Sequence, residues 1–176
     1  IWYYGQLNRT TWIDAGISAH PLATSGGYIY THENGPNDGQ PLGASPVAMD
    51  SYIESSFMDI ADGEFYMLTK RVIPDVDFTA SQTSNPVTGA ALVPAVDMAV
   101  AVTKFPGAAT STTDVAGTTL TRNVVTATST IDQYTDQVFI RARGRQMSFK
   151  ISSNTLGTQW QLGDTTVDAK PAGMRG

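Results

Sequence analysis

Between Val96 and Thr103 the chain alternates strictly: Val96, Met98, Val100 and Val102 point one way, and Asp97, Ala99, Ala101 and Thr103 the other. Side chains of a strand project to opposite faces in turn, so this pattern gathers its apolar groups on one surface only as β-structure. A second stretch repeats the rule. Arg145, Met147, Phe149 and Ile151 share one face there, with Gln146, Ser148, Lys150 and Ser152 opposite. Helical periodicity is scarce. The nine prolines and sixteen glycines cluster in segments such as Gly35-Pro36-Asn37-Asp38-Gly39 and Phe105-Pro106-Gly107, which read as loops. Threonine is abundant, and its β-branched side chain favours strands. The chain is therefore expected to be all-β. Met98, Val100, Val102, Val138, Ile140, Met147, Phe149, Ile151, Trp160 and Leu162 are the expected core.

Asp62-Gly63 suits a two-residue type I′ turn joining Tyr52–Ala61 to Glu64–Ile73. In that register Met58 faces Met67, Ile60 faces Phe65, and Glu54 lands opposite Arg71 as a cross-strand ion pair. Phe57 and Leu68 meet on the other face. Apolar pairs near the turn and an opposite-charge pair at the open end are mutually consistent.

Charge is uneven. Up to Glu64 there are eight acidic residues and one basic residue, Arg9, a net of −7; from Phe65 onward eight acidic and ten basic residues give +2. Near Ile73-Pro74-Asp75 a proline interrupts a strong strand and the composition turns to Thr, Ala and Val. Two regions follow: a hairpin region over 1–73, and over 74–176 a stretch of six to eight strands in about 100 residues, the size of an antiparallel β-sandwich. The start, Ile1-Trp2-Tyr3-Tyr4, looks like a strand already under way. A processed product, an artificial boundary and the tail of a longer polypeptide compete as explanations, and an apolar terminus needing cover favours the last.

Several chemistries find no footing. With no cysteine, the chain has no disulfide framework, thiolate metal site or cysteine nucleophile. A net charge of −5 argues against a nucleic-acid binder, and no apolar run approaches the roughly 20 residues of a membrane-spanning helix. His20 precedes a proline in a turn and His32 ends a short strand, without metal-ligand spacing. Asp59-Ile60-Ala61-Asp62-Gly63-Glu64 carries three carboxylates but lacks the ladder of a calcium loop, and the hairpin turn already accounts for it. Glycosidase carboxylates must stand about 5 to 10 Å apart, whereas the hairpin puts Glu54 and Glu64 at opposite ends. A glutamate beside an arginine is also a poor general acid. No nucleophile elbow or phosphate-cradling loop occurs. No catalytic residue, metal or cofactor is expected.

The densest positive charge is Arg141-Ala142-Arg143-Gly144-Arg145. On a strand Arg141 and Arg143 project to one side, giving an edge suited to an acidic partner surface or to phosphate, or a solvated face paired with Asp132 or Asp136. Among aromatics, Tyr134, Phe139, Trp160 and the group Trp2, Tyr3 and Tyr4 are candidates for sugar stacking, with core or packing roles as the plainer alternative.

The stretch Asp136–Ile151, with its Gly144-Arg145-Gln146 followed by an alternating strand, and the Leu156-Gly157-Thr158-Gln159-Trp160-Gln161-Leu162-Gly163 that follows, resemble the closing segment of bacteriophage tail proteins. The segment from Ile53 to Val76 resembles the part that precedes it in the hub, or nozzle, of short-tailed phages. The resemblance implies a structural virion protein: a ring-forming homo-oligomer below the portal or adaptor, forming part of a conduit through which genomic DNA passes without sequence-specific binding. It further implies propeller-like strands ahead of the β-sandwich. The shared motifs are structural, so the resemblance carries over no catalytic residue.

A neutral-to-acidic subunit fits such a conduit, since a basic channel would hold phosphates and slow passage. Arg141, Arg143 and Arg145 are then the candidates for inter-subunit contacts. The rival reading is a receptor- or carbohydrate-binding β-sandwich module using exposed aromatics and loop acids; a hydrolase is a more distant one.

Overall fold

The computed structural model describes residues 8–38, 45–59, 64–103, 112–113, 119–120 and 124–174, and among them there are strands, turns and loops but no helix. The protein is all-β. Among the described residues no helix is long and apolar enough to cross a membrane.

The larger sheet runs in the order β13 (Val124–Asp132), β10 (Ala95–Thr103), β15 (Gln146–Ser153), β6 (Ser51–Glu54), and β7 (Met58–Asp59) continues along β15. A second sheet has the order β14 (Ala142–Gly144), β8 (Phe65–Ile73), β17 (Thr166–Met174). All pairings are antiparallel. The alternation of Val96–Thr103 explains β10: Met98, Val100 and Val102 align with Ile151, Phe149 and Met147 of β15 and turn inward. From the other sheet Met67, Val72 and Ala142 enter the same buried cluster. One polar link crosses this core, the Thr69 hydroxyl donating to Met147 Sδ at 2.8 Å. Of the expected core, Phe149 and Trp160 are partly buried against the cluster, whereas Leu162 is 38% exposed. Leu162 belongs to a two-residue strand, β16 (Gln161–Leu162), whose partner β9 (Val76–Asp77) is equally short. Too little sheet covers it there.

A separate meander of β1 (Thr11–Ile13), β2 (Leu22–Ser25) and β3 (Tyr28–Thr31) lies upstream. Gly26 and Gly27 join β2 to β3 at φ 58° and 82°, the paired positive angles of a type I′ turn. Small pairs β4 (Asn37–Asp38) with β5 (Val47–Ala48), and β11 (Thr112–Thr113) with β12 (Thr119–Leu120), complete the strands.

The expected hairpin is not formed. Strands β6 and β7 pair with β15, and β8 pairs with β14 and β17. Met58 aligns with Met147, Glu54 with Lys150 and Arg71 with Asp168, so Glu54 and Arg71 are in different sheets and not opposite one another. The Arg71 side chain bonds Gln137 instead, Lys150 lies over the Tyr52 ring, and Met67, Thr69 and Val72 turn into the core from the second sheet. A hairpin would have kept both strands in one sheet. Residues 60–63, with the turn and the carboxylate loop, lie outside the described residues. Nor does the sheet network break at Pro74: β6, β7 and β8 are built into the same two sheets as the strands after it. The composition shift marks a loop instead.

Two turns are locked by aspartates. Asp77 Oδ1 accepts from the hydroxyl and from the backbone N–H of Thr79, and Asp132 Oδ1 accepts from the Thr135 hydroxyl (2.8 Å) and the Tyr134 N–H (2.9 Å). For both groups the threonine hydroxyl is the larger cause, and the backbone N–H the next, of a pKa held below the usual 3.8. A carboxylate whose folded pKa is depressed contributes stability that is complete above its unfolded value and is lost as pH falls through the folded one. Below about pH 4 the wild-type urea midpoint should therefore fall more steeply than that of Asp77→Asn/Asp132→Asn. Parallel curves from pH 6 to 2 would refute this.

Candidate interaction surface

The inward positions of β8 and β14 are fixed by burial: Met67, Thr69 and Val72 on one, Ala142 on the other. Their alternate neighbours must face out. Register places Arg143 beside Leu68 and Leu68 beside Lys170, making one row across all three strands. Register between β8 and β17 shifts at Asp168/Ala169, leaving Lys70 as the extra residue of β8, with its side chain exposed. Arg71 is half-buried beside Asp168.

The aromatic ring of Tyr66 organises this face. Arg143 Cζ lies 4.9 Å and Arg145 Cζ 5.5 Å from its centroid, within range of cation–π attraction. Arg143 also reaches across β8, its Nη2 donating to the Ala172 carbonyl at 2.8 Å. That carbonyl sits where β17 shifts register between Pro171 and Met174, beside Gly173 at φ 100°. Arg71 Nη1 donates to Gln137 Oε1 at 3.3 Å, and its Nε is buried without a partner. Both acceptors, the Gln137 carboxamide oxygen and the Ala172 carbonyl, are neutral. Strands β14, β8 and β17 with the adjoining Arg145 carry five cations (Lys70, Arg71, Arg143, Arg145 and Lys170) and one carboxylate, Asp168, and exposed Arg141 precedes β14.

The expected trio Arg141, Arg143 and Arg145 is thus brought together with residues that sequence reasoning left out, Tyr66, Lys70 and Lys170. Tyr66, Leu68 and Lys70 alternate along β8, a signal that leads to this face only through the pairing of β8 with β14. Glu54 lies in the other sheet, aligned with Lys150, whose Nζ is 4.7 Å from the Tyr52 ring centroid.

The histidines have structural surroundings. His32 N–H donates to the Pro21 carbonyl (2.8 Å), which brings it next to the His20 turn, but its ring packs against Trp12 at a tilt of 42°, with centroids 4.8 Å apart. Its Nε2 accepts from Arg9 Nε at 3.1 Å. Tyr134 and Phe139 are exposed and Trp160 is half-buried; Trp2, Tyr3 and Tyr4 lie outside the described residues.

The Leu-Gly-x-x-Trp-x-Leu-Gly motif acts as a clip. Gly157 has φ 75°, and a Cβ there would stand 2.7 Å from Leu92 Cδ1. Trp160 Nε1 donates to Ser51 Oγ at 2.9 Å, and Gly163 N donates to the Asp75 carbonyl at 2.7 Å. The motif ties three distant segments together. The sequence matches no protein-family model, and a search of curated proteins finds no match.

Proposed function

We propose that the chain is a structural virion protein of a bacteriophage tail, a hub- or nozzle-like subunit whose copies form a ring below the portal or adaptor and contribute to the DNA conduit. The resemblance of residues 136–163 and of the Ile53–Val76 segment supports the family. The segregation of charge in the fold supports the ring.

In a chain of net charge −5, five of the eleven cations (Lys70, Arg71, Arg143, Arg145 and Lys170) gather at the outer face of β14–β8–β17, while residues 8–59 hold six acidic side chains and the single cation Arg9. A cation-rich face and a segment rich in acids elsewhere in the same chain suit a head-to-tail contact between copies, which closes into a ring when the rotation allows. Cationic groups turned toward a neighbouring subunit also leave the conduit wall free of phosphate-gripping charge. Bidentate arginine–carboxylate pairing would give the contact both strength and register.

Light scattering of the purified protein tests this. A discrete multimer is expected at low salt, dissociating toward 1 M salt, where the Debye length falls to about 3 Å. Arg143→Glu/Lys170→Glu should weaken association at least about tenfold, since unpairing a buried charge across an interface costs several kcal/mol. A monomer at all salt and protein concentrations, or a multimer indifferent to the double reversal, would overturn the proposed contact and move the binding-module reading to first place.

A further inference from the structure

Away from the basic face, a cavity of about 440 Å³ opens between the loop after β3 and the loop after β15, within the size range of ligand pockets. Glu33, Pro36, Met49, Gln159 and Trp160 are among the residues that line it. Its walls are held from behind. Asn37 accepts from Gly157 N (2.6 Å) and donates to Gln82 Oε1 (2.9 Å), joining the two loops. Ser81 Oγ donates to the Gln159 carbonyl (2.7 Å) and accepts from the Gln159 N–H (2.9 Å), so the backbone of that residue is satisfied and its side chain is left for other work. The indole N–H of Trp160 is committed to Ser51 Oγ.

Glu33 is the unusual residue. It stands at φ 56°, the only non-glycine with positive φ among the described residues. A glutamate rarely adopts the left-handed region, and such strain persists only where the surroundings hold it. Here it places a carboxylate on the rim of a cleft that also offers an indole, a thioether and a carboxamide.

We infer that this cleft binds a neutral saccharide. A sugar ring presents an apolar C–H face and a rim of hydroxyls, which match a surface of Trp160 and Met49 beside the acceptor Glu33 and the donor–acceptor Gln159. Hydroxyl groups donating to an ionised carboxylate form the stronger class of hydrogen bond. Walls already fixed by Asn37 and Ser81 lower the ordering cost of binding. A cationic ligand fits less well: the cleft holds one aromatic side chain rather than a cage, and most of its polar groups are neutral. The site goes beyond the structural role proposed above and does not depend on it.

The test is NMR titration of the intact protein, following the Trp160 indole and Gln159 carboxamide resonances, with Trp160→Phe and Gln159→Ala for assignment. The probes are methyl glycosides of glucose, galactose, mannose and N-acetylglucosamine, with n-butylammonium as the cationic comparison. At least one glycoside should give saturable shifts at both groups, weakened about tenfold by Glu33→Gln, as loss of a charged hydrogen bond predicts. A dispersed spectrum of Glu33→Gln shows that the variant is folded. No saturation with any of the four glycosides, saturation only with n-butylammonium, or glycoside binding unchanged by both Glu33→Gln and Gln159→Ala would each overturn the inference.

Discussion

Gly144→Ala is expected to destabilise the protein by roughly 3 kcal/mol and to lower Tm by on the order of 10 °C, at the upper end of the usual overpacking cost. The added Cβ would stand 2.7 Å from the Thr103 carbonyl oxygen and 2.7 Å from Val102 Cβ. Neither can yield easily: Val102 is buried in the core, and the Thr103 oxygen accepts from Arg145 N at 2.7 Å. Here β14 of one sheet passes against β10 of the other, and only a residue without a side chain permits that approach. Relief requires moving β14 outward, which would also shift Arg143 and Arg145 relative to Tyr66. Thermal unfolding is the measurement, with Arg141→Ala as a surface control expected to stay within about 0.5 kcal/mol. A Gly144→Ala variant as stable as that control would show that the two sheets do not meet at this point.

Met98→Ala should cost about 3 kcal/mol by urea unfolding, in the range for large-to-small changes at buried sites. Met98 is fully buried on β10, the strand flanked by both β13 and β15, so the cavity left by truncation cannot be filled by collapse of an edge. Met49, 48% exposed, is the natural comparison, and Met49→Ala should change the midpoint little. A loss below 1 kcal/mol for Met98→Ala would place the core elsewhere.

How far the sequence can be read depends on whether its signals are local. Val96–Thr103 and Met147–Ile151 announce themselves because each strand carries its own alternation, and both sit where expected with their apolar residues inward. The pairing of β8 does not announce itself. Asp62-Gly63 suits a turn and Glu54/Arg71 an ion pair, but the strands that flank Glu54 and Arg71 come from far along the chain and set Lys150 and Asp168 opposite them. Two opposite charges fix a register only when no competing charge exists, and composition alone cannot choose between them. The basic face was half legible for the same reason. Arg141, Arg143 and Arg145 recur at every second residue of one short segment, whereas Tyr66, Lys70 and Lys170 join them only through the sheet. Glu33 carried no signal at all, since nothing in a Gly/Pro/Asn-rich loop says which residue will be held at positive φ.

Both neighbours of β8 come from beyond residue 141, and so does the strand that covers β6. Until residues 142–174 are in place, β8 has two open edges, each a row of unpaired backbone donors and acceptors. Closing the β8–β17 pair spans roughly 100 residues of chain, which places folding in the slow regime of non-local topologies. The vulnerable period in the life of this protein is therefore its assembly from the unfolded chain, when an unfinished molecule offers its neighbours the same edges that its own last strands are meant to fill. Crowding many copies together before that step is complete would favour strand exchange between chains over correct closure within one.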